Sequence, residues 1–97
     1  MRTLSFDPAA ESEVAAAALC YNRQQEHLGK RFICAVEEGA ARVKVDPFLY
    51  PVVDGKVRRC LIRTFPFCIL YRVGKSNIVI VAVMHLHRKP GYWKERV

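Results

Sequence analysis

Ile78–His85 reads Ile-Val-Ile-Val-Ala-Val-Met-His, an almost unbroken apolar run in which β-branched residues dominate. It is far too short to cross a bilayer, which takes about 20 apolar residues. Its branched side chains are stiff in a helix and pack well on a pleated surface. The run is therefore expected as a central strand covered on both faces, and any fold of this chain has to place a layer on each side of it. The residues ahead of it supply its neighbours. Phe67–Val73 alternates as a strand should, and Gly74-Lys-Ser-Asn77 is a hairpin turn into the apolar run. Val57–Thr64 is expected as a further strand, separated from Phe67 by a bend at Phe65-Pro66.

The first half of the chain changes period. Arg2–Phe6 alternates polar and apolar residues as a short first strand, with Leu4 and Phe6 on one face. Asp7-Pro8 opens a helix, because Asp7 can accept from orphan amides and Pro8 suits the first helical position. Val14, Ala17, Ala18, Tyr21 and Leu28 form one stripe at helical spacing, while Glu13, Asn22, Arg23 and Glu26 take the opposite face. Leu28-Gly29 breaks the pattern. A second helix then carries Phe32, Ala35, Val36, Ala40 and Val43 and ends before Asp46-Pro47. Pro47 to Gly55 is expected as a loop ending in the turn pair Asp54-Gly55. The expected fold class is α+β: an N-terminal β-strand, an α-helical hairpin, then a three-stranded antiparallel meander, with the first strand returning to an edge. The 97 residues suit one domain, 1–97.

Charge separates the halves more sharply than hydropathy does. Residues 1–54 hold six basic and eight acidic side chains, net −2, whereas residues 55–97 hold ten basic and one acidic, net +9. That imbalance favours a polyanion or an acid-rich protein as partner. No membrane span is expected, nor a secretory signal, since Asp7, Glu11 and Glu13 fall where an apolar leader segment would begin. Cys20, Cys34, Cys60 and Cys68 form no C-x-x-C pair and sit among apolar neighbours, so reduced thiols in the cytoplasm are expected. His85 and His87 find no third ligand at suitable spacing, so neither a metal nor another cofactor is expected.

Val57–Val73, with Arg58, Arg59 and Phe-Pro-Phe-Cys-Ile-Leu-Tyr, resembles the "R…FPY.I.Y.V" strand pair of the RelE/ParE toxins. Ile80–Trp93, with Ala82-Val83, His85, Arg88, Pro90 and Trp93, is similar to that family's closing "I.AV.H..R.P..W". With the helical hairpin counted, the resemblance spans nearly the whole chain. It implies the toxin half of a type II toxin–antitoxin pair (the plasmid stabilisation proteins), whose partner is a cognate antitoxin with an acidic or amphipathic segment. RelE-like members cleave mRNA in the ribosome; ParE-like members inhibit DNA gyrase.

Cleaving RNA through its own 2′-hydroxyl needs a base, an acid and cationic donors for the phosphate. Where the RelE-like pattern carries an arginine early in the "Y.L.Y" strand, this chain has Cys68, and a thiol cannot replace a guanidinium there. No glutamate lies between Glu38 and Glu95, leaving Asp54 as the stand-in for an acidic base. A ribonuclease built from this chain would use His85, His87, Arg88 and Tyr92, the histidines as the acid/base pair. The same histidines also read as the plain end of a strand. The departures favour the ParE-like alternative of inhibition through a basic surface; a non-toxic basic binding module is the remaining one.

The candidate target- or antitoxin-binding residues are Arg58, Arg59, Arg63, Arg88, Lys89, Trp93, Lys94 and Arg96. Arg59 and Arg63 are expected on one strand face and Arg58 on the other. These arginines suit forked hydrogen bonds to carboxylate or phosphate, or serve as charges that keep a strand edge from aggregating. Trp93 either anchors an interface or folds back to plug the seam between helices and sheet.

Overall fold

The computed structural model describes residues 2–97. Strand β1 (Thr3–Phe6) leads into helices α1 (Pro8–Gln24) and α2 (Leu28–Val45), followed by strands β2 (Val52–Asp54), β3 (Val57–Leu61), β4 (Phe67–Val73) and β5 (Asn77–His85). A single 3-10 turn, Lys94–Arg96, ends the chain. The strands form one sheet in the order β1-β5-β4-β3-β2. β1 lies parallel to β5 at one edge, and the other pairings are antiparallel. The fold is thus α+β, with a mixed sheet and the first strand at an edge as expected.

Asp7 Oδ1 accepts from the Ala9 amide at 2.8 Å and Pro8 takes the first helical position, so α1 starts where the sequence says. The break between the helices falls at Gln25–His27 rather than at Leu28-Gly29. His27 takes the left-handed conformation (φ 68°) that reverses the chain. Gly29 instead lies in the first turn of α2, where its amide donates to Asn22 Oδ1 at 2.8 Å. A Cβ there would collide with the Ala18 carbonyl oxygen, so this glycine serves helix–helix approach, not helix termination.

The helical pair covers one face of the sheet. Phe32, Val36 and Val43 of α2 meet Ile69, Tyr71, Ile78 and Ile80 in the main core, with Ala18 and Tyr21 of α1 packed in. Tyr21, Phe32, Phe65 and Phe67 pack as an aromatic cluster, with Tyr21 and Phe65 centroids 5.0 Å apart and edge-on. The Tyr71 hydroxyl donates to the Pro47 carbonyl at 2.7 Å, tying the loop after α2 to the sheet.

Three departures shape the other face. The expected loop holds a short edge strand, β2, because Asp54-Gly55, with Gly55 at φ 53°, turns the chain tightly enough for Asp54 to pair with Val57. β3 stops at Leu61, short of Thr64, where a left-handed Thr64 (φ 74°) lets the chain bend toward Phe65-Pro66. Finally, β5 carries a bulge: Leu70 faces Ala82 and Tyr71 faces Ile80, leaving Val81 as the extra residue. Ile78, Ile80 and Val83 therefore face the helices, while Val81 and Ala82 face away. On that outer face Val57, Cys68, Leu70, Val81 and Ala82 form a second, smaller core closed by Trp93. Trp93 does fold back, but onto the sheet face opposite the helices and not into the seam, because the turn after His85 carries the tail to that side.

Candidate functional site

The basic C-terminal half disperses into separate roles once the register is known. Arg58 points toward the helical side, where its Nη1 donates to the Tyr50 and Phe48 carbonyls at 2.7 and 3.2 Å. Its guanidinium lies 5.2 Å from the Phe48 ring centroid, so its role is to clamp the loop ahead of β2. Arg63 does not share a face with Arg59, because β3 ends before it; Arg63 turns toward α2 and lies 3.7 Å from Glu38 Oε2. Glu38 is already paired with Arg42 at 2.7 Å, and Arg42 also donates to the Leu61 carbonyl.

The tail residues are largely structural. Arg96 donates to Glu13 Oε1 at 2.9 Å and to the Val81 carbonyl at 3.0 Å. Tyr92 donates a short hydrogen bond from its hydroxyl to Glu13 Oε2, and the Val83 amide donates to Glu13 Oε1 at 3.1 Å. Pairing of β1 with β5 ends at Phe6–Ile80, so Glu13 and Arg96 satisfy the stretch of β5 edge that no strand covers. The Glu13 hydrogen bond raises the Arg96 pKa, burial opposing it. Burial, then the bond to Glu13, pushes the Tyr92 hydroxyl above its ordinary range. Lys94 pairs with Asp54 at 3.1 Å, and Trp93, 5% exposed, offers no free ring.

Glu13 is the functional-looking residue that sequence reasoning missed, placed there only on the polar side of α1. Its partners lie 70, 79 and 83 positions away, beyond any local pattern.

Of the candidate cations named from the sequence, Arg59, Arg88 and Lys89 stay available. All three are exposed, and none makes an ion pair among the described residues. Arg59 stands on the outer face opposite Leu70, and Arg88 lies with its guanidinium 4.1 Å from the Tyr92 ring centroid. Between them lies a cleft of about 280 Å³ floored by Cys68, Leu70, Met84 and Trp93. Burial pushes the Cys68 thiol up to about 11, so it is a neutral part of that floor.

β5 ends at His85, and the following turn brings His87 back beside it, the two ring centroids 5.2 Å apart. His85 Nδ1 accepts from the His87 amide at 3.0 Å, and its ring stands edge-on to Phe67. His85, His87 and Arg88 are thus neighbours on one turn, while the Tyr92 hydroxyl is committed to Glu13. Among the described residues no three His, Cys, Asp or Glu side chains could share a metal ion. Among the same residues no helix is long and apolar enough to cross a membrane.

A helical hairpin on a mixed five-stranded sheet, with a tail strapped across the far face, defines a small α+β protein. Residues 4–90 match the profile of the ParE toxin of type II toxin-antitoxin system, parDE, so the chain belongs to that family. Among solved structures, the fold is similar to the chromosomal ParDE TA system from P. aeruginosa. That match has a TM-score of 0.67 and 20% identity, and it covers 88% of this chain and 96% of the other. No curated protein sequence gives a significant match.

Proposed function

We propose that this protein, acting in the cytoplasm as one domain over its 97 residues, arrests growth by gripping a macromolecular target, DNA gyrase, through its cationic outer face, and that a cognate antitoxin neutralises it. The observation that carries this reading is the outer face itself. Arg59 and Arg88 stand unpaired around a floor in which Cys68 takes the place where a phosphate-cleaving member would carry a cation. A neutral thiol contributes no charge stabilisation to a scissile phosphate, whereas uncompensated guanidinium groups favour docking to acidic surfaces. Tyr92, whose hydroxyl is tied to the half-buried Glu13 carboxylate, is likewise poorly placed to move protons in a substrate.

Inducing the gene without its antitoxin should halt growth, accumulate covalent gyrase–DNA complexes and leave mRNA intact. Co-expression of a cognate antitoxin should restore growth. The proximity of His85 and His87 makes the ribonuclease the specific competitor. Codon-positioned mRNA cuts that disappear in His87→Ala and Arg88→Ala would establish it in place of gyrase inhibition. Absence of any arrest would instead leave a non-toxic binding module.

A further inference from the structure

Exposed large apolar side chains crowd into one short stretch of the chain: Val45, Phe48, Leu49, Val52 and Val53. Val45, 78% exposed, and Leu49, 66% exposed, line one hollow with Tyr50, from which the chain runs directly into β2. The stretch is held, not loose. The Leu49 amide donates to the Asp46 carbonyl at 3.2 Å and the Arg59 amide to the Pro51 carbonyl at 3.0 Å. Tyr71 and Arg58 bind the Pro47, Phe48 and Tyr50 carbonyls as well. Apolar side chains already fixed in place lose little freedom when they are covered, and a patch of them in water marks an interaction surface. β2 adds a free edge. It ends the sheet with all three residues exposed, and its outer side pairs with no strand among the described residues.

We infer that this edge is the interface between two copies of the chain. The two β2 strands pair antiparallel about a two-fold axis near Val53, and Val45 and Leu49 of each copy close the helical side of the join. Charge selects the occupant. Residues 44–56 hold two cations, Lys44 and Lys56, and two acids, Asp46 and Asp54, so they net zero on a chain of +7. Of the cations nearby, Arg42 is paired with Glu38, and Arg2 and Arg58 lie over the Phe48 ring. Copies that repel one another elsewhere meet here at the least electrostatic cost, whereas a polyanion or acid-rich segment gains no attraction from a neutral patch. Size points the same way. A three-residue strand offers few backbone hydrogen bonds to a lone peptide, but a two-fold interface uses every contact twice. Antiparallel pairing about an axis perpendicular to the sheet would join two five-stranded sheets into one. Both outer faces, each with its Arg59, would then lie on the same side.

The test is sedimentation velocity on the full chain over a wide range of concentration, at 0.1 M and 1 M salt. The mass should climb from one chain to two and stop there. Association should be at least about twofold tighter at the higher salt, where the screening length falls from about 10 to 3 Å and mutual repulsion fades. Leu49→Lys and Val53→Lys should each weaken the dimer at least about tenfold, since each places two unpaired charges at the join. Leu19→Lys, at an exposed apolar position on α1, should change it less than about twofold. Amide exchange in Val52–Asp54 should slow as the dimer forms, with no change in Thr3–Phe6, the strand at the opposite edge. If one lysine variant fails to fold, as judged by its melting curve, the other variant and the exchange pattern decide. A single-chain mass at every concentration, growth past two chains without limit, or weaker association at 1 M salt would overturn the inference. So would equal weakening by Leu19→Lys, or exchange that slows in β1 instead of β2. None of these outcomes touches the growth-arrest reading, which is scored on gyrase–DNA complexes in cells.

Discussion

The carboxylate of Glu13 accepts hydrogen bonds from the Val83 amide, the Tyr92 hydroxyl and the Arg96 guanidinium, joining α1, β5 and the tail at one point. The Glu13 and Arg96 side chains are only 14% and 21% exposed, so the pair is largely screened from water. Removing one member of such a pair leaves the other charge and its donors without partners. Glu13→Ala should therefore cost about 3 kcal/mol and loosen the tail. In a domain this small that is a fall in melting temperature of roughly 12–24 °C, measurable by circular dichroism. Glu13→Gln should cost less, since an amide oxygen still accepts, and a loss below about 0.5 kcal/mol in the alanine variant would refute the keystone role. The cysteines give a second residue-scale test. Cys20 and Cys34 are exposed while Cys60 and Cys68 are buried, and burial raises Cys68 from 9.0 to about 11. Native protein at pH 8 should expose two thiols to Ellman's reagent, and unfolded protein all four. Because the folded pKa is raised, the stability Cys68 contributes is complete below pH 9 and is lost as pH climbs through about 11. Cys68→Ala should flatten that part of the pH–stability curve.

Periodicity located most elements because their residues lie on faces that pack locally. Phe67–Val73 has the bounds its alternation implies, and the stripe from Phe32 to Val43 faces the core. The element-scale misses share a cause: each depends on contact between segments distant in sequence. Gly29 looks like a helix stop until α1 is placed against it, and β2 looks like loop until Asp54-Gly55 brings it beside β3. The bulge at Val81, which sends two successive residues to the outer face, has no signal in a run of uniformly apolar residues. For the same reason strand parity misplaced Arg63, and the site was legible only as a list of cations without their partners. Gly29→Ala tests the helix contact: its methyl group would meet the Ala18 carbonyl and lie 2.8 Å from the Asn22 side chain. A destabilisation of about 1–3 kcal/mol is expected from overpacking, although alanine is the better helix former by about 1 kcal/mol. A gain in stability by chemical denaturation would show that the helices do not approach so closely.

At the scale of the molecule, the net −2 of residues 1–54 and the +9 of residues 55–97 belong largely to different layers. The helical pair comes from the first part and most of the sheet and the tail from the second. Several of the C-terminal cations serve the fold itself, as Arg58, Lys94 and Arg96 do, while Arg59, Arg88 and Lys89, like Lys56, Arg72 and Lys75, are exposed and make no ion pair among the described residues. The docking proposed for these exposed cations should be salt-sensitive, since the screening length is about 10 Å at 0.1 M salt and 3 Å at 1 M. The most direct measurement is growth after induction of Arg59→Glu/Arg88→Glu beside the unaltered chain, with folding of the variant verified by its melting curve. Reversing both charges should abolish growth arrest in a protein that still folds; undiminished arrest by the folded variant would contradict a target gripped by the cationic outer face.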